Sequence, residues 1–91
     1  MKIKGFEWDE GNVLHLELKH GITPQEAEEV FALSPLVKKT RKRHYAAFGR
    51  TRAGRLLIVI FGVNSDNYAR IITAWDMKKS ERQYYKRQTQ G

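Results

Sequence analysis

A run of six residues that is apolar at every position, residues 56–61 (Leu-Leu-Ile-Val-Ile-Phe), constrains the fold more than any other feature. A strand with one wet face alternates apolar and polar residues, whereas an unbroken apolar run is typical of a strand covered on both faces. The chain has 91 residues, enough for one small domain over residues 1–91. We therefore predict a single domain built around a central strand.

Three further segments have the composition of strands. They are residues 36–39, 45–51 and 68–75. The segment 52–55 contains a glycine, and residues 64–67 (Asn-Ser-Asp-Asn) are turn formers throughout, so both are predicted to be turns. The sequence thus predicts a meander of about four antiparallel strands, followed by a polar helix with Asp76 as its N-cap.

A helix is predicted to begin at Thr23. Thr23 is a capping hydroxyl, Pro24 occupies the first helical position, and Glu26 stands where a capping box places a glutamate. Ser34 and Pro35 end the helix. Because helices come first, then strands, then a helix, the pattern predicts an α+β domain.

The segment before this helix has two interpretations. Leu14, Leu16 and Leu18 alternate with polar residues, as they would in a strand. A helix capped by Asp9 and ended by Gly21 fits equally well. The pattern alone leaves both open.

Several kinds of catalytic site are poorly supported. The chain has no cysteine and three histidines. His15 and His20 are five residues apart and are not expected to share a helix face, and no acidic residue has a ligand spacing to His44. The serines lie at turns, caps or on the charged last helix, and no glycines have the spacing of a phosphate-binding loop. We predict no metal and no cofactor.

Charge is divided unevenly along the chain. The net charge is +7, yet residues 1–37 carry −4, so the remainder carries +11. Residues 38–55 contain eight basic residues and no acidic one. This balance favours a polyanionic partner. The alternative is a sheet edge guarded by lysines against aggregation.

Aromatic residues are interleaved with the basic ones in the second half of the chain. Guanidinium groups pair with phosphate and aromatic rings stack on unpaired bases, so the pattern favours single-stranded or looped RNA. The predicted RNA-binding residues are Arg43, His44, Arg50, Arg52, Arg55, Lys78 and Lys79. In the structural alternative, Tyr84 or Tyr85 anchors the last helix and Arg70 pairs with an acidic residue of the first half. No apolar run approaches the roughly 20 residues that span a bilayer, and we expect a cytoplasmic protein without a membrane partner.

Six short motifs lie in order along the chain: FEWDE at 6–10, KHGIT at 19–23, HYAAFGRT at 44–51, GRLLIV at 54–59, RIITA at 70–74, and ER followed by Tyr85 at 81–85. Together they resemble the BrnT toxin family, which is similar to RelE-like toxins. The resemblance implies two N-terminal helices, the first from about Glu10 to His20, an antiparallel sheet and a C-terminal helix.

The resemblance also implies a function. Members of the family are similar to metal-independent ribonucleases that arrest translation, and are encoded beside a BrnA-type antitoxin with a ribbon-helix-helix domain, with which a hetero-oligomer is expected. By resemblance, Arg70 and Arg82 are the phosphate-binding candidates and Tyr85 is the proton-transfer or base-stacking candidate. Trp75 and Asn64 depart from the family, because arginine is frequent at both positions. These departures support an alternative, a non-catalytic module that binds RNA or antitoxin.

Overall fold

The structure is a computed structural model that describes residues 3–41 and 43–90. Lys42, which belongs to the predicted basic segment, lies outside the described residues. Within them the strands are β1 (Gly5–Glu7), β2 (Leu36–Lys39), β3 (His44–Arg50), β4 (Leu56–Val63) and β5 (Tyr68–Asp76). The helices are α1 (Glu10–His15), α2 (Pro24–Ala32) and α3 (Lys79–Thr89), and α1 continues into a π-helical segment at Leu16–His20.

The described strands form one mixed sheet in the order β1-β5-β4-β3-β2. The four predicted strands are confirmed as the antiparallel meander β2 to β5. The prediction of about four antiparallel strands missed β1, which pairs parallel with β5. A strand of three residues is too short to show a period of two, so no periodic pattern marks β1 in the sequence.

The central strand β4 is covered on both faces, as its apolar run predicts. Leu57, Val59 and Phe61 belong to a buried cluster formed with α2 and the π-helical segment. Ile58 and Ile60 face the opposite side, where Tyr85 of α3 packs. Helices therefore cover the sheet from both sides.

The N-terminal helices begin where capping residues predict. Thr23 and Glu26 form the complete capping box of α2. The Asp9 carboxylate accepts a hydrogen bond of 2.8 Å from the Asn12 backbone N–H, and Gly21 ends the first helix with φ at 61°. Of the two interpretations of residues 14–19, the helix is confirmed.

The π-helical segment overturns one prediction. His15 and His20, expected on different helix faces, stack edge to face with ring centroids 5.3 Å apart. A π-helix closes its hydrogen bonds between residues five apart, so it aligns positions that an α-helix would separate. The prediction that His15 and His20 lie on different faces was wrong, because it assumed α-helical geometry.

The prediction for the start of the last helix was also wrong. Asp76 is the final residue of β5, and Lys78 is the N-cap of α3. The Lys78 backbone N–H donates to Glu81 Oε1 at 2.8 Å. The Asp76 carboxylate instead accepts hydrogen bonds from two N–H groups of Arg55.

Helix α1 protects the part of β5 that β1 does not cover. Asn12 Nδ2 donates to the Ile71 carbonyl at 2.6 Å, and His15 Nε2 lies 3.4 Å from Thr73 Oγ1. Side chains thus replace a neighbouring strand along this edge. Nearby, the β4–β5 register shifts, so Phe61 pairs with Ile71 and Ile60 with Thr73, leaving Ile72 unpaired.

Candidate functional site

Helix α3 covers only part of its sheet face, and a cavity of about 520 Å³ lies on the rest. The residues under α3 include Ala46 and Ile58. The cavity lies beyond them, towards the start of β5. It is lined by Glu7, Asn12, Arg43, His44, Gly62, Val63, Asn64, Arg70 and Ile72.

The floor of the cavity is one row of cross-strand partners. His44 pairs with Gly62, and Gly62 pairs with Arg70. Neighbouring strands are about 4.8 Å apart, so the Cα atoms of His44 and Arg70 are separated by roughly 9.5 Å. Gly62 has no side chain to fill the gap between them. The row therefore forms a trough with an imidazole on one side and a guanidinium on the other.

The trough has an excess of positive charge. Arg43 and Arg70 line it, against one carboxylate, that of Glu7. Glu7 Oε2 accepts a hydrogen bond of 3.0 Å from Asn64 Nδ2, which fixes the carboxylate near the turn. A phosphate would meet two guanidinium groups here.

Arg70 has the acidic neighbour that the structural alternative expects. Its Nη2 lies 3.3 Å from Asp9 Oδ2, and its side chain is 63% exposed. An ion pair this exposed contributes little stability, because water screens it. The guanidinium can therefore exchange Asp9 for an incoming phosphate at small cost.

The other predicted basic residues of β3 and its turn lie at the opposite end of the sheet. Arg50 is six residues from His44 along β3, about 20 Å at the rise of a strand. Arg52 is paired with Glu29 at 3.9 Å and is 69% exposed. The structure brings Arg43, His44 and Arg70 together, and it separates Arg50 and Arg52 from them.

Arg55 joins three parts of the fold. Its guanidinium donates to both oxygens of Asp76, at 2.7 and 2.8 Å, and to the Glu26 carboxylate at 3.2 Å. It also donates to the carbonyls of His20 and Gly21. The hydrogen bond with Asp76 raises the pKa of Arg55 above its ordinary value and lowers that of the Asp76 carboxyl. Since its donors are engaged, we assign Arg55 to stability and leave it out of the proposed RNA surface.

The residues of α3 taken from the family resemblance lie away from the cavity. Arg82 Nη1 donates to the Met77 carbonyl at 2.7 Å, just beyond the end of β5, whereas Arg70 is near its start. Six residues of strand separate Arg70 from Asp76, about 20 Å. The structure does not bring Arg70 and Arg82 into one phosphate clamp.

The two tyrosines of α3 anchor the helix to the sheet. Tyr85 packs against the buried cluster that contains Ala46 and Met77. Tyr84 lies 5.6 Å from the Phe48 ring and carries the Lys38 ammonium 4.7 Å above its own ring. Lys78 and Lys79 stand at the N-terminal end of the same helix.

Both departures from the family pattern have structural uses. Trp75 packs against the cluster under α3 and donates from Nε1 to Glu81 at 3.3 Å. Asn64 Oδ1 accepts from the backbone N–H groups of Asp66 and Tyr68, at 2.9 and 3.0 Å. Trp75 thus helps to dock the last helix, and Asn64 shapes the turn beside the cavity.

Several cavity residues carry no signal that sequence reasoning detected. Gly62, Asn12 and Ile72 were not among the candidates, because their role depends on register, a helix packed on an edge and a bulge.

Among the described residues, no group of three or more His, Asp or Glu side chains is placed to hold a metal ion. In the same residues, no helix is long and apolar enough to cross a membrane.

Comparison with known proteins agrees with the fold. A family model described as the ribonuclease toxin BrnT of type II toxin–antitoxin systems matches residues 8–81. The chain belongs to the BrnT family. The resemblance drawn from the six motifs is therefore confirmed, and membership of a type II toxin family implies an antitoxin as partner.

A solved structure supports the same architecture. The chain is similar to the ribonuclease toxin BrnT of Brucella abortus, with a TM-score of 0.71 and 20% sequence identity. The match covers 86% of this chain and 100% of the Brucella chain. At this identity the likeness shows a shared BrnT fold. No curated protein sequence matches the chain.

Proposed function

We propose that this BrnT-family protein is a metal-independent endoribonuclease that cleaves RNA and thereby inhibits translation. The observation that carries the proposal is the trough over Gly62, where Arg70 and Arg43 face an open cavity on the sheet. Both arginines are exposed at the cavity, and RNA is proposed to enter there as a single strand. The whole domain is too small to enclose a large cofactor, so a surface trough is the appropriate kind of site.

RNA carries its own nucleophile, the ribose 2′-hydroxyl. Cleavage requires a group that accepts the proton of this hydroxyl and cations that stabilise the charge developing on the phosphoryl oxygens. Arg70 and Arg43 are assigned to the cationic role. The apolar side chains of Val63 and Ile72, which also line the cavity, provide a surface for a base next to the phosphate.

The remaining predicted residues are proposed for roles outside the trough. The positive electrostatic field that attracts RNA includes contributions from Arg50, Arg52, Lys78 and Lys79. This field acts over longer distances than a direct contact does. Arg82 and Tyr85 remain predictions that rest on the family resemblance.

The proposed inhibitor is a BrnA-like ribbon-helix-helix antitoxin that forms a hetero-oligomer with this chain. An acidic or apolar antitoxin segment that occupies the trough is sufficient to exclude RNA, and an acidic segment would also complement its positive charge. Solvent accessibility of Arg70 should therefore fall in the complex. An Arg70 that stays as accessible as in the free protein would contradict this mode of inhibition.

A second candidate function is a non-catalytic module that binds RNA or antitoxin. Trp75 favours it, because this side chain is committed to docking α3 at a position where the family frequently has an arginine. Each missing transition-state contact of this kind costs on the order of a hundredfold in rate.

The experiment that separates the two functions is RNA cleavage by the purified protein in EDTA. We expect the wild type to leave 2′,3′-cyclic phosphate ends. Arg70→Gln should lose about a hundredfold in rate. Arg50→Gln removes an exposed arginine of the same sheet far from the trough, and it should retain most of the activity. Binding without cleavage by the wild type would favour the non-catalytic module.

A further inference from the structure

We infer that His44 is the proton acceptor for the RNA 2′-hydroxyl. The inference rests on the proposed ribonuclease function and adds to it a catalytic residue. Of the three histidines in the chain, His44 is the one that lines the cavity with Arg70. His15 and His20 stack on each other at the helical edge of β5.

The register of the sheet positions His44 for this role. His44 and Arg70 are both cross-strand partners of Gly62, so their side chains flank the same gap. A phosphate bound by Arg70 would place the attached ribose on the His44 side of the trough. Because the imidazole and the Arg70 guanidinium line one cavity, a ribose bound there can come within the reach that a general base requires.

The backbone of His44 is held independently of its imidazole. The His44 N–H donates to the Arg41 carbonyl at 2.8 Å, and the His44 carbonyl accepts from the Thr40 N–H and hydroxyl at 3.0 and 3.1 Å. The side chain is exposed to solvent. The imidazole can therefore be replaced without removing a contact that the loop needs.

The charged groups facing His44 across the cavity come from three elements: Glu7 from β1, Arg43 from the preceding turn and Arg70 from β5. Both arginines are permanently protonated, so neither can accept the proton. Glu7 is engaged by Asn64, and carboxylates in general are weaker bases than imidazole. His44 is the better base of the set.

The step is an internal transfer at phosphorus. His44 takes the proton from the 2′-hydroxyl as the 2′-oxygen forms a bond to phosphorus. The bond from phosphorus to the 5′-oxygen breaks, and this oxygen takes a proton from water. The products are a 2′,3′-cyclic phosphate and a 5′-hydroxyl, and His44 returns its proton to solvent.

The test is cleavage of a single-stranded RNA in EDTA by wild type, His44→Ala and His20→Asn. A lost general base should reduce the rate of His44→Ala by about a hundredfold or more, while affinity for a 2′-O-methylated strand, which cannot be cleaved, is retained. Added imidazole should restore cleavage by His44→Ala. The restored rate should exceed the rate at which imidazole cleaves RNA without protein. His20→Asn changes a histidine outside the cavity and should behave as wild type.

A pH series adds a readout that a structural role would not change. A general base acts in its deprotonated form, so the wild-type rate should fall towards acidic pH, and this fall should be absent in His44→Ala. If His44→Ala cleaves RNA as fast as the wild type, the inference about His44 is wrong, while the proposed ribonuclease function stands. The inference is also wrong if added imidazole does not restore the cleavage lost by His44→Ala, or if this variant loses RNA affinity to the same extent. A wild type that does not cleave would overturn the proposed function itself.

Discussion

Replacing Arg55 by lysine should destabilise the fold without weakening RNA binding. Arg55 bridges the end of β5, the start of α2 and the two carbonyls that end the first helical segment. Lysine keeps the charge but is a point donor, and it cannot reproduce the planar fork. It can reach one carboxylate and one carbonyl of this set, so the remaining partners must turn to water.

The magnitude follows from the hydrogen bonds lost. The side chain of Arg55 is 29% exposed and that of Asp76 is 56% exposed, so water compensates part of the loss. Counting about three bonds at somewhat less than 1 kcal/mol each gives about 2 kcal/mol. For a domain of this size that corresponds to a fall of about 10 °C in Tm.

The assay is urea unfolding followed by circular dichroism, with Arg52→Lys as the matched control. Arg52 lies in the same turn, but its ion pair with Glu29 is long and the Arg52 side chain is 69% exposed, so its replacement by lysine should cost less than about 0.5 kcal/mol. Equal stability of the two variants would show that the contacts of Arg55 do not stabilise the fold. If Arg55→Lys lowered RNA affinity with unchanged stability, Arg55 would be an RNA ligand, as its position in the basic segment first suggested.

Three further predictions follow from close contacts and charge. Gly49→Ala should lower the free energy of unfolding by about 1–3 kcal/mol, because its Cβ would lie 2.9 Å from Val30 Cγ1. Val30 is itself fully buried, so the matched background is Val30→Ala, in which Gly49→Ala should cost less in urea unfolding. Gly62→Ala should keep Tm, since its Cβ would have ordinary contacts of 3.7 and 3.8 Å, and the larger Gly62→Val should abolish cleavage by filling the trough. An active Gly62→Val would contradict this. Stability should fall below about pH 4, because Arg55 lowers the pKa of the Asp76 carboxyl and the pair is lost when that carboxyl is protonated. Asp76→Asn should show a smaller difference in urea midpoint between pH 7 and pH 3.

Local signals were sufficient to predict most of the fold. The capping box at Thr23, the apolar run in β4 and the turn at residues 64–67 each depend on neighbours in sequence, and each has the predicted structure. β1 could not be predicted, because its pairing with β5 joins residues more than sixty positions apart. The start of α3 was misplaced for a related reason. Asp76 is a residue type that is common at N-caps, but its carboxylate accepts hydrogen bonds from Arg55.

The candidate site was less predictable than the fold. The charge of residues 38–55 pointed to the segment whose Arg43 and His44 line the cavity. The same segment contains Arg52 and Arg55, whose partners are Glu29, Glu26 and Asp76. Nothing in the local sequence distinguishes an arginine that binds a ligand from one that joins helices to a sheet. Gly62 becomes informative only when the register places it between His44 and Arg70.

Entry of RNA into the trough over Gly62 can be followed by NMR titration of the isotopically labelled protein with a 2′-O-methylated single strand. Binding should shift the backbone amide signals of Arg43, His44, Gly62 and Arg70, with smaller changes elsewhere. Shifts confined to the turn at residues 50–55 or to α1, with the Gly62 signal unchanged at saturation, would show that RNA does not bind in the trough.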